Sequence, residues 1–101
     1  MTILTDLIFM AVDAWLSEHA FDGDNSILSF ADEDETYAFA NEINFRLHDL
    51  RQFDNFKGGY CIVDDTRTSL VIVLFLLEDE EIATCVKNFE ITYWQTIKSV
   101  I

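Results

Sequence analysis

Apolar positions recur along the chain in two distinct rhythms. From Ile3 to about Ala20, Leu4, Leu7, Ile8, Ala11, Val12, Trp15 and Leu16 return at spacings of three and four, which predicts a helix. Thr2 or Thr5 suits its N-cap, and Asp6 favours the positive end of its dipole. Turn-forming residues 21–26 end it, and a short strand is expected over Ile27 to Ala31. A second helix follows, with Asp32 as N-cap and Glu35 three residues on in a variant capping box. Phe39, Ile43, Leu47 and Leu50 form its stripe, flanked by Tyr37, Ala40 and Phe53, and Asn55 to Gly59 stop it.

Tyr60 to Val63 and Ser69 to Leu77 then predict two strands joined by a hairpin loop, Asp64 to Thr68. Leu70 to Leu77 is apolar without interruption, so this strand has no polar face and must be covered on both. The cover expected for the second face is the first helix or a second copy of the chain, a homodimer. In the last segment, about Asp79 to Val100, Ile82, Val86, Phe89, Tyr93, Ile97 and Val100 step at fours and threes, which predicts a third helix. A strand through Phe89, Ile91 and Tyr93 fits fewer positions. The expected fold is therefore α+β, a small three-stranded sheet with about three helices in the order α-β-α-β-β-α, as one domain over residues 1–101.

Composition agrees with a self-sufficient core. Half of the 101 residues are apolar and 14% are aromatic, which separates the chain from a disordered acidic tail. Proline is absent and there are three glycines, so breakers are scarce. The longest apolar run is far too short to span a bilayer, and the N-terminus lacks the basic region of a secretory signal. Two cysteines without framework spacing fit a reduced, cytoplasmic setting.

Charge changes the picture most. Nineteen Asp and Glu stand against six Lys and Arg, a net charge of −13. That balance argues against direct binding of nucleic acid, which needs cations to displace counterions, and against docking on an anionic membrane. Two acidic tetrads stand out: Asp32, Glu33, Asp34 and Glu35 before the second helix, and Glu78, Asp79, Glu80 and Glu81 before the expected third. One or two carboxylates per helix start are explained by the dipole, at ~0.3–1 kcal/mol each. Four in a row exceed that need, although a solvated face is the plain alternative. A strand-helix-strand crossover makes the first two strands parallel, and the hairpin reverses the third. One end of the sheet then gathers residues 32–35 with Asp64 and Asp65, and the other gathers 78–81 with Asp22 and Asp24.

Other chemistry finds less support. Asp22, Asp24, Ser26 and Glu33 sit at calcium-loop positions 1, 3, 5 and 12, but Ile27 replaces the required glycine and apolar Leu28 to Phe30 prefer a strand. His19, His48, Cys61 and Cys85 lack zinc-ligand spacing. There is no phosphate-cradling loop and no nucleophile elbow, so no cofactor, no metal and no catalytic residue is assigned. The two Trp and nine Phe are expected mostly in the core, with Phe53 and Phe56 as candidate interface anchors.

Small, acidic, well cored and without an enzyme motif, the chain resembles in physical character the phage inhibitors of anti-CRISPR and anti-restriction type, and the bacterial toxin immunity proteins. The resemblance implies a non-enzymatic inhibitor that fills the nucleic-acid site of a basic nucleic-acid-binding protein or nuclease. The acidic residues 32–35, 64–65 and 78–81 would make the contacts. An acidic regulatory subunit that assembles through an apolar face is the alternative from another class.

Overall fold

The computed structural model describes residues 3–21 and 24–95, with side chains from Asp6 to Ala20 and from Ser26 to Gln95. In chain order the elements are α1 (Ile3–Ser17), β1 (Ala20–Phe21), β2 (Asp24–Phe30), α2 (Glu33–Asp49), β3 (Phe56–Val63), β4 (Ser69–Glu78) and β5 (Glu81–Tyr93), with a single 3-10 turn, Leu50–Gln52, after α2. The strands lie in the order β1-β2-β5-β4-β3. Strand β5 runs parallel to β2 and antiparallel to β4, and β3 is antiparallel to β4. Apart from the two-residue β1, this is a mixed four-stranded sheet with two helices.

The expected architecture of three helices on three strands is thereby corrected. The segment read as a third helix is β5, the longest strand, and Ile97 and Val100 of that reading lie outside the described residues. Burial alternates along β5, with Ala83, Cys85, Lys87 and Phe89 turned inward and Ile82, Thr84, Val86 and Asn88 outward. A lysine on the inward row hides this two-residue rhythm from a hydropathy pattern. Lys87 tolerates the position because its amine lies 5.7 Å from the Phe9 ring centre and 3.8 Å from Asp13 of α1. The stronger reason for a strand is β4. Its ten residues need a ladder neighbour on each side, and β5 matches it residue for residue from Ser69↔Glu90 to Glu78↔Glu81.

Both helices lie on one face of the sheet. There Leu70, Ile72, Leu74 and Leu76 of β4 are at most 1% exposed and pack with Ile8, Val12 and Leu16 of α1 and Ile43 and Leu47 of α2. Each such burial contributes about 1.5–3 kcal/mol. The helices meet where the Arg46 guanidinium sits 5.5 Å over the Trp15 ring. His19, just after α1, stacks on Phe30 and meets Phe39 edge-on, which ties α1, β2 and α2 together. Since α1 shares the face of α2, it does not cover the second face of β4.

Strand β3 forms one edge of the sheet, and α2 bonds it at one point. The Asn44 side-chain amide donates to the Cys61 carbonyl at 2.9 Å, and its oxygen accepts from the Cys61 N–H at 2.8 Å. One side chain thus takes the place of a neighbouring strand for that peptide. Within β3 the register breaks between Phe56 and Gly59, where Gly58 adopts φ +116°. At Gly59 a Cβ would stand 2.5 Å from the Val73 carbonyl oxygen, so only glycine lets the two strands close.

Asn44→Leu should therefore lower unfolding stability by about 1–3 kcal/mol, because it strands two backbone groups. Asn41→Leu, one turn away and exposed, should change it by less than about 0.5 kcal/mol. Urea denaturation of the two variants checks the difference.

Candidate functional site

The topology does place the two acidic tetrads at opposite ends of the sheet. Strand β2 delivers the chain to the start of α2 at the end where β3 also finishes. The turn from β4 to β5 lies at the other end. With about 3.3 Å per residue, the ten residues of β4 separate the ends by about 30 Å, and the longest molecular dimension is 57 Å.

At the α2 end most carboxylates are engaged within the fold. Asp32 caps α2 by accepting from the Glu35 N–H at 2.9 Å, and Glu35 accepts in return from the Ala31 N–H at 2.5 Å. Asp32 is the N-cap expected from the sequence, and the return bond to Glu35 comes from the residue before the cap, a variant of the capping box. Glu33 pairs with Arg67 of the β3–β4 loop at 3.3 Å. A hydrogen bond to Tyr37 and the charge of Glu33 hold that guanidinium above its ordinary range. Asp64 organises the loop: it accepts from Thr66 Oγ1 at 2.7 Å, from the Thr68 N–H at 2.9 Å and from the Ser69 N–H at 3.1 Å. The Thr66 hydroxyl above all, with these backbone donors, keeps the Asp64 carboxyl below its ordinary 3.8. Only Asp34 and Asp65 of the six stand exposed without such a role.

The opposite end is different. Glu78 and Glu81 face one another as the last pair of the β4–β5 ladder, and Asp79 and Glu80 form the two-residue turn between them. This tetrad does not open a helix, which corrects the sequence expectation. Asp79 and Glu80 have φ of +52° and +69°, the signature of a type I′ hairpin turn. Asn-Gly or Asp-Gly normally fills such a turn, and a glutamate there costs roughly 1–2 kcal/mol. Asp79, Glu80 and Glu81 are exposed, Glu78 is half-buried, and among the described residues none of the four has an ion-pair partner. Of the residues expected to join them, Asp22 lies outside the described residues and Asp24 is described by its backbone alone.

Between the two ends lies a surface that charge reasoning missed. The sheet face away from the helices carries Tyr60 and Ile62 from β3, Val71, Val73 and Phe75 from β4, and Ile82 and Val86 from β5. Ile62, Ile82 and Val86 are each more than half exposed. The unbroken apolar run of β4 is the signal that pointed to it. The aromatic expectations hold in part. Phe56 is core, at 2% exposed, not an interface anchor, and Phe53 is half-buried, whereas Phe45 and Trp94 are largely exposed.

Elsewhere the candidate chemistry dissolves into structure. The calcium-loop positions from Asp24 to Phe30 form strand β2, and among the described residues no three His, Cys, Asp or Glu gather as a metal site. Burial pushes the Cys61 thiol up to about 12, which makes it a core filler and not a nucleophile. No described helix is long and apolar enough to cross a membrane. Comparison with protein-family models, with curated proteins and with solved structures gave no match.

Two outcomes follow. Replacing Asp79-Glu80 by Asn-Gly should raise unfolding stability by about 1–2 kcal/mol, read by thermal or urea denaturation. In an NMR titration, Asp64 should protonate below 3.8, and Thr66→Val should move that midpoint upward. A depressed carboxyl stabilises the fold above its unfolded-state pKa, and that share is lost as pH falls through the folded value.

Proposed function

We propose that this chain is a non-enzymatic inhibitor that acts in the cytoplasm by binding a basic nucleic-acid-binding protein or nuclease. The β4–β5 hairpin tip enters the site where the target grips phosphate. One observation carries this reading: four carboxylates crowd a two-residue turn whose backbone is held in a conformation that glutamate disfavours. A chain optimised for stability alone would place glycine there. The tip offers up to eight oxygens to arginine forks, which grip carboxylate much as they grip phosphate. With a net charge of −13 behind it, encounter with a cationic cleft is steered and fast at low salt. The exposed Asp34 and Asp65 at the far end give a secondary contact; the capped and paired Asp32, Glu33, Glu35 and Asp64 serve the fold first. A phage inhibitor of anti-CRISPR or anti-restriction type and a toxin immunity protein share this physics and differ in the target.

The apolar sheet face away from the helices favours a second reading, an acidic regulatory subunit that assembles through Tyr60, Ile62, Ile82 and Val86. The two readings separate on one partner, captured from the native host with the immobilised chain and then purified. Its nucleic-acid binding, followed by fluorescence anisotropy, should be blocked by the wild-type chain and less so as salt rises. Glu80→Lys with Glu81→Lys should weaken the block by about tenfold or more, some 1.4 kcal/mol. A block that survives this reversal but is lost in Ile62→Lys would replace the inhibitor reading with the subunit reading.

A further inference from the structure

The two edges of the sheet are treated differently. On the β3 edge, Asn44 of α2 bonds the outward peptide groups of Cys61. On the other side, β2 pairs with β5 only over Glu90 to Tyr93. Among the described residues, Glu81 to Phe89 therefore have a ladder neighbour on the β4 side alone. The Ile91 N–H donates to Thr68 on that side. Peptide groups alternate along an antiparallel strand, so the odd positions of β5 bond towards β4. The even positions 82, 84, 86 and 88 then point their N–H and C=O groups outward. Their side chains lie on the helix-free face, where Ile82 is 56% and Val86 is 53% exposed. An open, apolar, β-branched edge of this length is a template for another strand.

We propose that the occupant is a second copy of the chain, with the two β5 strands paired antiparallel about a two-fold axis at Thr84. The sequence is self-complementary in this register and places opposite charges in opposition. Thr84 faces Thr84 of the other copy, Ile82 faces Val86, Ala83 faces Cys85, and Glu81 faces Lys87. The Thr84–Thr84 and Glu81–Lys87 pairs are of kinds that strengthen a sheet, and the ion pairs form twice. The outward peptide groups at 82, 84 and 86 meet as hydrogen-bonded pairs, as the parity requires. Residues 82–86 contain no carboxylate, so the paired segment itself adds no like-charge contact between two chains of −13. A shift of two residues along the strand sets Glu81 opposite Phe89 or Cys85 and removes both ion pairs. The two acidic tips then project from opposite ends of one continuous sheet. The dimer rests on the edge geometry and not on the inhibitor reading, so either can fail alone.

Sedimentation velocity and light scattering across micromolar to submillimolar concentrations test it. The mass should rise towards twice the chain's 11.7 kDa. Thr84 is exposed, so Thr84→Lys should keep the far-UV circular dichroism of the wild type while it sets lysine against lysine at the axis. It should raise the concentration needed for dimerisation severalfold or more. Ile62→Lys, on the sheet face away from this edge, should leave it unchanged. Glu81→Lys should weaken association, and adding Lys87→Glu to it should restore it. A monomer at every concentration overturns the proposal. So does a dimer that Thr84→Lys leaves intact and Ile62→Lys dissolves, because the sheets would then pack face to face.

Discussion

Strand β4 is the element on which the remainder of the molecule depends. Eight consecutive apolar residues cannot lie on a water-facing ribbon, and their backbone groups must be bonded on both sides. Helices α1 and α2 answer the first demand on one face, where Leu70, Ile72, Leu74 and Leu76 are sealed. Strands β3 and β5 answer the second. Gly59 allows β3 to approach Val73, and β5 follows β4 across a turn of only two residues. Among the described residues, no helix or second sheet layer covers the other face. The central strand therefore accounts for the core and for the apolar surface at once.

The same constraint separates the charges. Carboxylates cannot occupy the helix-facing row, and on the opposite face they would sit among Tyr60, Ile62 and Val86. They are displaced to the ends of the sheet and to the outer surfaces of the helices. At the α2 end the fold absorbs them: the capping box, the Glu33–Arg67 pair and the Asp64 loop each convert a negative charge into local structure. At the hairpin tip no described residue forms an ion pair with them, and the backbone is bent into the left-handed region. Two acidic tetrads in sequence thus become unequal sites in space, one engaged in the fold and one without ion-pair partners among the described residues.

Much of this was legible in the sequence. The spacing of Phe39, Ile43 and Leu47 and the Asp32–Glu35 pair gave α2 its position and its cap. The crossover and hairpin rules gave the relative directions of β2, β3 and β4, and hence the two acidic ends. The third helix failed for a physical reason. In β5, Ile82, Val86, Phe89 and Tyr93 satisfy a helical period by coincidence, and inward-facing Lys87 breaks the strand period. Tertiary demand from β4 decided the outcome against local pattern. Position in a hairpin turn, not at a helix start, then changed the meaning of residues 78–81. The bond from Asn44 to Cys61 was invisible because it depends on a contact across seventeen positions.

The unbroken apolar run of β4 demands cover on both faces, but the first helix, one expected cover, lies on the same face as α2. The last segment, expected as a helix, is a strand. As a strand, it extends the sheet, adds Ile82 and Val86 to the face away from the helices, and brings an edge that, among the described residues, is unpaired from Glu81 to Phe89. A small acidic domain gains nothing in stability from exposing such groups, and it incurs a risk of aggregation. Asn44 bonds the outward Cys61 peptide on the β3 edge, whereas among the described residues Glu81 to Phe89 have no ladder neighbour on their outer side. That difference is the physical argument for assembly. From Ile82 to Val86 the outward backbone offers hydrogen bonds and the side chains offer no carboxylate. Association along it would keep the acidic tips far apart and free.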